Sequence, residues 1–535
     1  MLFSSYAFVF IFLPAALTGF FCLSRFGKRF GAAWLILSSF AFYGLWNPQF
    51  VCLLLGSIAF NYVIGERINA ASADLARQRA WLILGIVGDL GLLFYYKYLA
   101  ALIGLAASLG IVSTRVPAAL LPLGISFFTF TQIGYLVDVQ QGVARNRGLL
   151  NYGLFVTFFP HLIAGPILHN REIMPQFEDT RTYSFSSANL TVGLVLFIVG
   201  LAKKCLLADP IAGAVAAGFG APGQLTMLTA WFMMLTYALQ LYFDFSGYAD
   251  MAIGIARMFN VRFPLNFNSP YKATSIIDHW QRWHMTLTRF LTLYLFNPIA
   301  LGIARRRAAR NKKIDRAAQA TPEGFLSMVA IPIIVTMGVA GIWHGAGLQF
   351  LIFGLLHGVY LTINHAWRTM RPPRKLPAGR LTRLRHLILT MISVLVALVF
   401  FRAPSMAAAW TTLGAMAGMH GVGSVAIPAG LLRDLGQVGA MLAEHGYVDA
   451  TPAMTFAESA VSVGWITVLC VIVWALPNSQ EFMHRFTPAL GRITPGNVRM
   501  LVWRPTSRWA TALGVVAAVS VLAIGGTTEF VYFQF

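Results

Sequence analysis

Histidine is the residue type in this chain that most strongly indicates chemistry. Trp343-His344-Gly345 stands between two apolar segments, and His284 directly follows Arg282-Trp283. A neutral imidazole can take a proton from a hydroxyl group, as a general base does. Burying an ionisable group at membrane depth costs free energy, so such a residue indicates a functional site. The alternative is a structural histidine that hydrogen-bonds to a neighbouring carbonyl and holds two helices together. From the residues alone, both interpretations of His344 remain open.

Metal binding is the rival use of these imidazoles. Seven of the eleven histidines lie in or beside apolar segments, namely His161, His169, His279, His284, His344, His357 and His365. The chain has no HExxH motif and few acidic residues near these histidines. The sequence therefore predicts neither a metal site nor a bound cofactor.

Two carboxylates, Asp244 and Asp250, lie in one apolar segment. The simpler interpretation is a structural pair satisfied by neighbouring Tyr, Ser or Arg side chains. A proton relay is less favoured, because relays usually use several acids on several spans. Nucleophile-elbow, P-loop and dinucleotide-binding motifs do not occur in a credible setting, so no serine nucleophile is indicated.

An apolar pair of spans at residues 326–367 must position His344. Seven Lys and Arg residues between Arg305 and Arg316 precede it, and seven between Arg368 and Arg385 follow it. Basic loops remain on the cytoplasmic side of a membrane. The pattern therefore predicts a hairpin whose two ends face inward and whose histidine-bearing turn faces outward.

Composition fixes the class of protein. The 535 residues are 57% hydrophobic and 11% charged, with a mean hydropathy of +0.68. The apolar segments are long and continuous, which excludes a membrane β-barrel. In a soluble protein, a net charge of +21 would suggest nucleic-acid binding. Here the basic residues lie at the ends of membrane spans, where membrane topology and anionic lipid headgroups account for them. The prediction is an all-α polytopic membrane protein that binds no nucleic acid.

The apolar segments along the chain predict ten to twelve membrane helices, together with re-entrant or surface helices. They form a single predicted domain, 1–535. Its central catalytic region spans about 120–370, and a weakly apolar region at about 403–460 is expected on the outer face. Proline and glycine near 120–128 and 160–166 predict kinked or re-entrant segments, which a membrane tolerates only where protein covers them. Residues 276–297 look like one helix. Both termini are predicted outside, with the aromatic residues 530–535 in an interfacial belt.

Several motifs together resemble one family, the membrane-bound O-acyltransferases, and within it the bacterial polysaccharide branch. The shared segments are Leu121–Phe130, Ile163–Ile167, Tyr242–Tyr248, Asn266–Tyr271, Arg282–His284 and Ile342–Ala346. Their order and spacing are similar to that branch over nearly the whole chain. The departure is His279 and Gln281, where relatives commonly carry an aromatic residue and an arginine.

The resemblance implies a pore-like core with a funnel on one face and a donor tunnel on the other. It implies that an acyl group passes from a cytoplasmic thioester, expected to be acetyl-CoA, to an exported polysaccharide such as alginate, cellulose or peptidoglycan. His344 and His284 match the family's two catalytic histidines. The resemblance further implies a location in the bacterial inner membrane and an extracytoplasmic partner of the SGNH-hydrolase type.

Three other functions remain open at this stage. D-alanyl transfer to teichoic acid lies within the same family. A proton-coupled transporter would predict symmetric halves, and the sequence has no evident internal repeat. A non-catalytic scaffold for the partner enzyme would leave His344 sealed in packed protein.

Overall fold

Helices form nearly all of the regular structure in the computed structural model, which describes residues 1–111, 120–144, 148–371, 379–423, 436–444, 456–491, 501–525 and 530. Among these residues, seven helices are long and apolar enough to cross a membrane, and four shorter apolar helices accompany them. The all-α, polytopic class is confirmed. The number of crossings, ten to twelve, stays a prediction, as do the single domain and the sides on which the termini lie.

The helices are numbered here in chain order. Three of the seven long apolar helices contain a π-helical turn, so each of these three carries two labels in the numbering below. The bounds are α1 Leu13–Ser24, α2 Lys28–Gly44, α3 Gln49–Ala70, α4 Leu75–Lys97, α5 Leu99–Ser108, α6 Ile125–Gln140, α7 Leu149–Thr157, α8 Phe159–Leu162, α9 Asn170–Glu178, α10 Ser187–Ala202, α11 Asp209–Gly220, α12 Met227–Met258, α13 Ile276–Trp280, α14 Met285–Leu291, α15 Asn297–Ala309, α16 Arg316–Gln319, α17 Pro322–Phe325, α18 Ile331–His344, α19 Leu348–Met370, α20 Arg380–Arg402, α21 Met406–Met416, α22 Gly436–Glu444, α23 Phe456–Ala475, α24 Ser479–Phe482 and α25 Ser507–Leu522.

Helices α10 and α12 approach so closely that glycine is required on both. A Cβ on Gly200 would lie 2.6 Å from the carbonyl oxygen of Gly247, and one on Gly254 would lie 2.6 Å from that of Gly193. The two glycines on each helix are seven residues apart, so they repeat on one face. Small residues let membrane helices pack backbone to backbone where no hydrophobic force drives them together. This contact anchors α12, which is buried over most of its length.

Beside that contact, two lysines neutralise the buried carboxylates of α12. A π-helical turn, Lys203–Ala208, joins α10 to α11. Lys203 Nζ lies 2.6 Å from Asp250, and Lys204 Nζ lies 2.7 Å from Asp244. Buried charges are tolerated when they are paired. Asp244 and Asp250 are therefore satisfied by lysines rather than by the predicted Tyr, Ser or Arg.

The central hairpin has the form expected from the charge pattern. Helix α18 ends at His344, and α19 begins at Leu348 and runs back. A Cβ on Gly341 would collide with the carbonyl oxygen of Phe350, so the two helices touch through their backbones. His344 is thus held at the end of a rigid, closely packed helix.

Two interrupted segments meet next to this hairpin, as the Pro and Gly residues predict. Helix α6 begins only at Ile125, after an irregular stretch, and α8 ends at Leu162 before non-helical chain leads to α9. Gly124 has φ +75°, and a Cβ there would lie 2.7 Å from the carbonyl oxygen of Leu162. The irregular backbone is therefore covered by protein, as an apolar environment requires.

The prediction of one helix over 276–297 is wrong. Helix α13 ends at Trp280 and α14 begins at Met285, because the chain between them pairs with residues 266–268. The amide of Asn268 donates to the carbonyl of Arg282, and the amide of Met285 donates to that of Asn266, both at 2.9 Å. His284 consequently has left-handed backbone torsion angles, φ +42° and ψ +53°.

Two regions named in the sequence analysis are described only in part. Of the weakly apolar region at about 403–460, the structure describes residues 403–423, 436–444 and 456–460, which contain helices α21 and α22 and the beginning of α23. Of the predicted aromatic belt at 530–535, it describes Phe530, which packs against Tyr248 with ring centroids 4.6 Å apart. The remaining residues of both regions lie outside the described part of the chain.

We expect the substitution Gly200→Val to destabilise the protein by about 1–3 kcal/mol, because the added side chain must push α12 away from α10. The midpoint of thermal unfolding in detergent measures the effect. Gly213→Val is the matched control, since a Cβ at Gly213 meets no atom within 4 Å. Equal midpoints for the two variants would contradict the close packing.

Candidate active site

His344 lies in an aromatic setting at the end of α18. Its side chain is buried, with 6% of its surface exposed. The imidazole ring is 5.2 Å from the ring of Phe401 and 6.1 Å from that of Phe353, measured between centroids, and both contacts are edge-on. Aromatic neighbours on α19 and α20 therefore fix the ring.

One side of His344 borders an open cavity of about 250 Å³, named here the Lys97 cavity. The irregular segment before α6 and the end of α8 supply much of its wall. Its lining residues are Trp46, Lys97, Leu120, Leu121, Pro122, Leu123, Gly124, Ile125, Ser126, Phe127, Ile163, Ala164, Trp343 and His344.

His344 also lines a second space, named here the histidine cavity, of about 20 Å³. Four imidazoles contribute to its wall, and the remainder is largely apolar. The lining residues are Leu241, Tyr271, His279, Trp280, Trp283, His284, Leu287, His344, Phe353, His357, Val394, Leu398 and Phe401. The two predicted catalytic residues, His344 and His284, thus face one space although they lie 60 positions apart in the sequence.

Hydrogen bonds fix the orientation of His284. Its Nδ1 lies 3.0 Å from Asn266 Oδ1, and the amide of Thr286 lies 3.4 Å from the same oxygen. A backbone amide only donates, so the Asn266 atom that it meets is the acceptor oxygen. His284 Nδ1 must therefore carry a proton and donate it to Asn266.

Thr286 extends this support to the irregular chain after α8. Its hydroxyl donates to Asn266 Oδ1 at 2.9 Å and accepts from the amide of Ile167 at 3.1 Å. Asn266 and His284 are almost completely buried, at 0% and 1% exposure. The turn at residues 266–268, the bend at His284 and the irregular segment 163–169 are thereby joined in one network.

The other two histidines of the cavity lie side by side. The rings of His279 and His357 are nearly parallel, with an interplanar angle of 4° and centroids 6.5 Å apart. Trp280 Nε1 donates to His357 Nδ1 at 3.2 Å. Because Nδ1 accepts this bond, the neutral ring of His357 carries its proton on Nε2.

Trp280 also borders a third cavity, of about 330 Å³, named here the Arg289 cavity. This cavity is also lined by Pro264, Arg289 and Leu490, and His344 is not among its lining residues. Arg289 makes a two-pronged ion pair with Glu172, at 2.6 and 2.8 Å. His344 thus forms a wall common to the first two cavities, and Trp280 a wall common to the last two.

Within the described part of the chain, no group of three or more His, Cys, Asp or Glu side chains is arranged to hold a metal ion. The chemistry available in the histidine cavity is therefore that of imidazole: accepting a proton, donating one, or orienting a bound hydroxyl group.

Sequence reasoning missed Asn266, His357 and Lys97 as parts of the site. Asn266 lies in a turn-rich stretch whose hydrogen-bonding capacity was visible, but its pairing with His284 depends on the bend. Lys97 gave the clearest signal, because it is the one cation inside the apolar segment 80–112, which holds one other charge, Asp89.

Known proteins resemble this chain over most of its length. The profile of the membrane-bound O-acyltransferase family matches residues 136–317. A peptidoglycan O-acetyltransferase from Helicobacter pylori is 36% identical over 508 residues, covering 90% of each chain. This chain belongs to the membrane-bound O-acyltransferase family. The resemblance stated from the motifs is confirmed.

Other relatives within the family differ in how much of the chain they match. A probable alginate O-acetylase, AlgI, from Pseudomonas aeruginosa is 37% identical over 421 residues, covering 78% of this chain and 75% of its own. A teichoic acid D-alanyltransferase from Bacillus subtilis is 26% identical over 270 residues, covering 50% of this chain and 65% of its own. The chain is accordingly an O-acyltransferase, and the transporter and scaffold hypotheses are set aside.

We expect Asn266→Leu to lower the O-acyltransferase rate by roughly 10²-fold, because the imidazole of His284 loses the acceptor that orients it. Asn266→Asp keeps an acceptor oxygen at this position and should retain most of the activity. The initial rate per monodisperse purified protein measures both. A fully active Asn266→Leu variant would show that the orientation of His284 is unimportant.

Proposed function

We propose that this enzyme transfers an acetyl group from a cytoplasmic thioester, acetyl-CoA, to a hydroxyl group on the outer side of the bacterial inner membrane. The acceptor is an exported polysaccharide, and His344 is the general base. The observation that carries the proposal is the position of His344 in the wall of two separate cavities. A histidine sealed in packed protein could not meet two substrates.

The positions of the cavities assign an entry route to each of the two substrates. The Lys97 cavity lies where α18 ends, and the basic residues flanking the hairpin predict that this end faces outward. The Arg289 cavity touches Leu490 and Gly491, which lie in the segment 485–508, and the basic residues of that segment predict that it faces inward. The acceptor hydroxyl would thus enter beside Lys97, and the thioester would approach past Trp280.

The chemistry requires one proton acceptor and one good leaving group. His344 takes the proton of the acceptor hydroxyl while the oxygen attacks the thioester carbonyl carbon. The carbon–sulfur bond then breaks, and the thiolate leaves and gains a proton. A thiol has a pKa of about 8.5, so it departs far more readily than an alkoxide. His284, held by Asn266, orients the acceptor or returns the proton.

The size of the histidine cavity favours acetyl over longer acyl groups. Its volume of about 20 Å³ is close to the ~10–15 Å³ needed to hold a single water molecule. Phe353 and Phe401 narrow it on the side of His344. A two-carbon group needs only small adjustments there, whereas a long chain would need a tunnel.

The relatives support a polysaccharide acceptor. The relatives from Helicobacter pylori and Pseudomonas aeruginosa, of which the alignment includes 90% and 75%, are named as a peptidoglycan O-acetyltransferase and a probable alginate O-acetylase. From the resemblance of the motifs to the bacterial polysaccharide branch, we further propose that the enzyme works with an extracytoplasmic partner of the SGNH-hydrolase type, which completes the transfer to the glycan. We favour acetyl over D-alanyl transfer because the D-alanyltransferase relative matches only half of this chain.

His344→Ala should lower acetyl transfer by roughly 10²–10⁴-fold, as loss of a positioned general base does. The assay is thiol release from acetyl-CoA by the purified protein, together with mass spectrometry of polysaccharide O-acetyl groups in a complemented deletion strain. His386→Ala, an exposed histidine on α20, is the matched control. Wild-type O-acetylation by the His344→Ala variant would exclude His344 as the catalytic base.

Phe401→Leu should enlarge the histidine cavity and raise the rate with butyryl-CoA relative to acetyl-CoA by about 10-fold or more. Phe400→Leu is the control at the neighbouring position, because Phe400 packs against Trp410 rather than lining the cavity. The ratio of initial rates with the two donors is the measurement. An unchanged ratio in the Phe401→Leu variant would show that this cavity does not select the acyl group.

A further inference from the structure

Lys97 binds the end of the helix that carries His344. It is the last residue of α4, and its Nζ donates to the carbonyl oxygen of Trp343 at 2.6 Å and to that of His344 at 3.1 Å. A third, longer bond reaches Ser126 Oγ at 3.4 Å. The three donors of the ammonium group are thus directed at three acceptors.

The last carbonyl groups of a helix have no partner within it. In water they bind solvent, but next to a membrane-embedded site they need a donor from the protein. A cation is also favoured at this end, because the helix dipole places partial negative charge there. Lys97 meets both requirements at the residue whose side chain is the proposed base.

The neighbouring residue makes a similar contact one position earlier in α18. Tyr98 donates its hydroxyl to the carbonyl oxygen of Ile342 at 2.9 Å. This bond anchors the same helix end, but it does not involve the carbonyl oxygens of Trp343 and His344, which Lys97 binds. Substituting Tyr98 therefore tests general anchoring of α18, whereas substituting Lys97 tests the direct contact with the backbone of residue 344.

Lys97 also lines the cavity that borders His344 on the side where α18 ends. The backbone after His344 is extended, with Gly345 at φ −168° and ψ +163°, so α18 stops abruptly at this point. With nothing to bind its carbonyl, residue 344 would be free to adjust its backbone, and the ring would move with it. A shift of about 1 Å in a catalytic group can lower a rate by roughly 10²-fold.

We propose that Lys97 is a positioning residue for the acyl-transfer reaction, fixing His344 by binding the carbonyl oxygens of residues 343 and 344. This inference rests on the proposed function of His344. Lys97 acts through the backbone of the base and takes no part in proton transfer itself.

The test compares three variants of the purified full-length enzyme, with acetyl-CoA as donor. Lys97→Met keeps the length of the side chain and removes its donors, and we expect kcat to fall by roughly 10²-fold while KM for acetyl-CoA changes by less than about 2-fold. Lys97→Arg keeps a cationic donor and should recover at least part of kcat. Tyr98→Phe should keep a kcat within about 3-fold of the wild-type value.

A double substitution separates positioning from general stability. In a His344→Ala background, Lys97→Met should cause no further loss of the residual rate, because residues that act as one unit are not additive. If Lys97→Met does not accumulate, Lys97→Leu, which also removes the donors, takes its place. The thermal unfolding midpoint of each variant shows whether the fold has been retained.

Three results would overturn the inference: a wild-type kcat in Lys97→Met, an equal loss in Tyr98→Phe, or a further full loss in the double variant. The proposed function would fail separately, through a wild-type enzyme that does not cleave acetyl-CoA or a His344→Ala variant that remains active. The two failures are therefore distinguishable in one set of assays.

Discussion

The arrangement of this protein depends on satisfying polar backbone groups where water is scarce. Each helix that ends inside the apolar core leaves carbonyl or amide groups without partners, and each such group must be met by protein. Helix α18 ends at His344 with its final carbonyls bound by Lys97 and Tyr98. At the bend around His284, the carbonyl of Arg282 is bound by the amide of Asn268, and the amide of Met285 is bound by the carbonyl of Asn266. The same broken backbone that requires these bonds creates the site.

Interruption of helices also creates space. Regular helices packed through glycines, as α10 and α12 are, leave little room between them. The irregular chain before α6 and after α8 cannot pack in that way, and the Lys97 cavity lies against it. The proximity of a cavity and an imidazole is thus a direct result of where the helices are broken. The two carboxylates of α12, Asp244 and Asp250, show the opposite case, since each is paired with a lysine and neither lines the Lys97 cavity or the histidine cavity.

The amino-acid sequence predicted much of this arrangement from simple rules. Two basic blocks around an uncharged apolar stretch predicted the α18–α19 hairpin and the position of His344 at its turn. Proline and glycine predicted that the chain near 122–124 and 160–166 is not one straight helix. The helical prediction for 276–297 failed, because helical periodicity contains no information about the backbone bonds to residues 266–268 that end α13.

By itself, the sequence determined the all-α membrane class, the hairpin and the family motifs, and it predicted His344 and His284 as the candidate catalytic residues. These follow from hydrophobicity, charge and residue type, which are local properties of the chain. Only the tertiary structure decided that His344 and His284 face one cavity, that Asn266 fixes the proton on His284, and that Lys97 binds the end of α18. The partners Lys97 and His344 lie 247 positions apart, and contacts over such separations arise from helix packing, which no local pattern encodes.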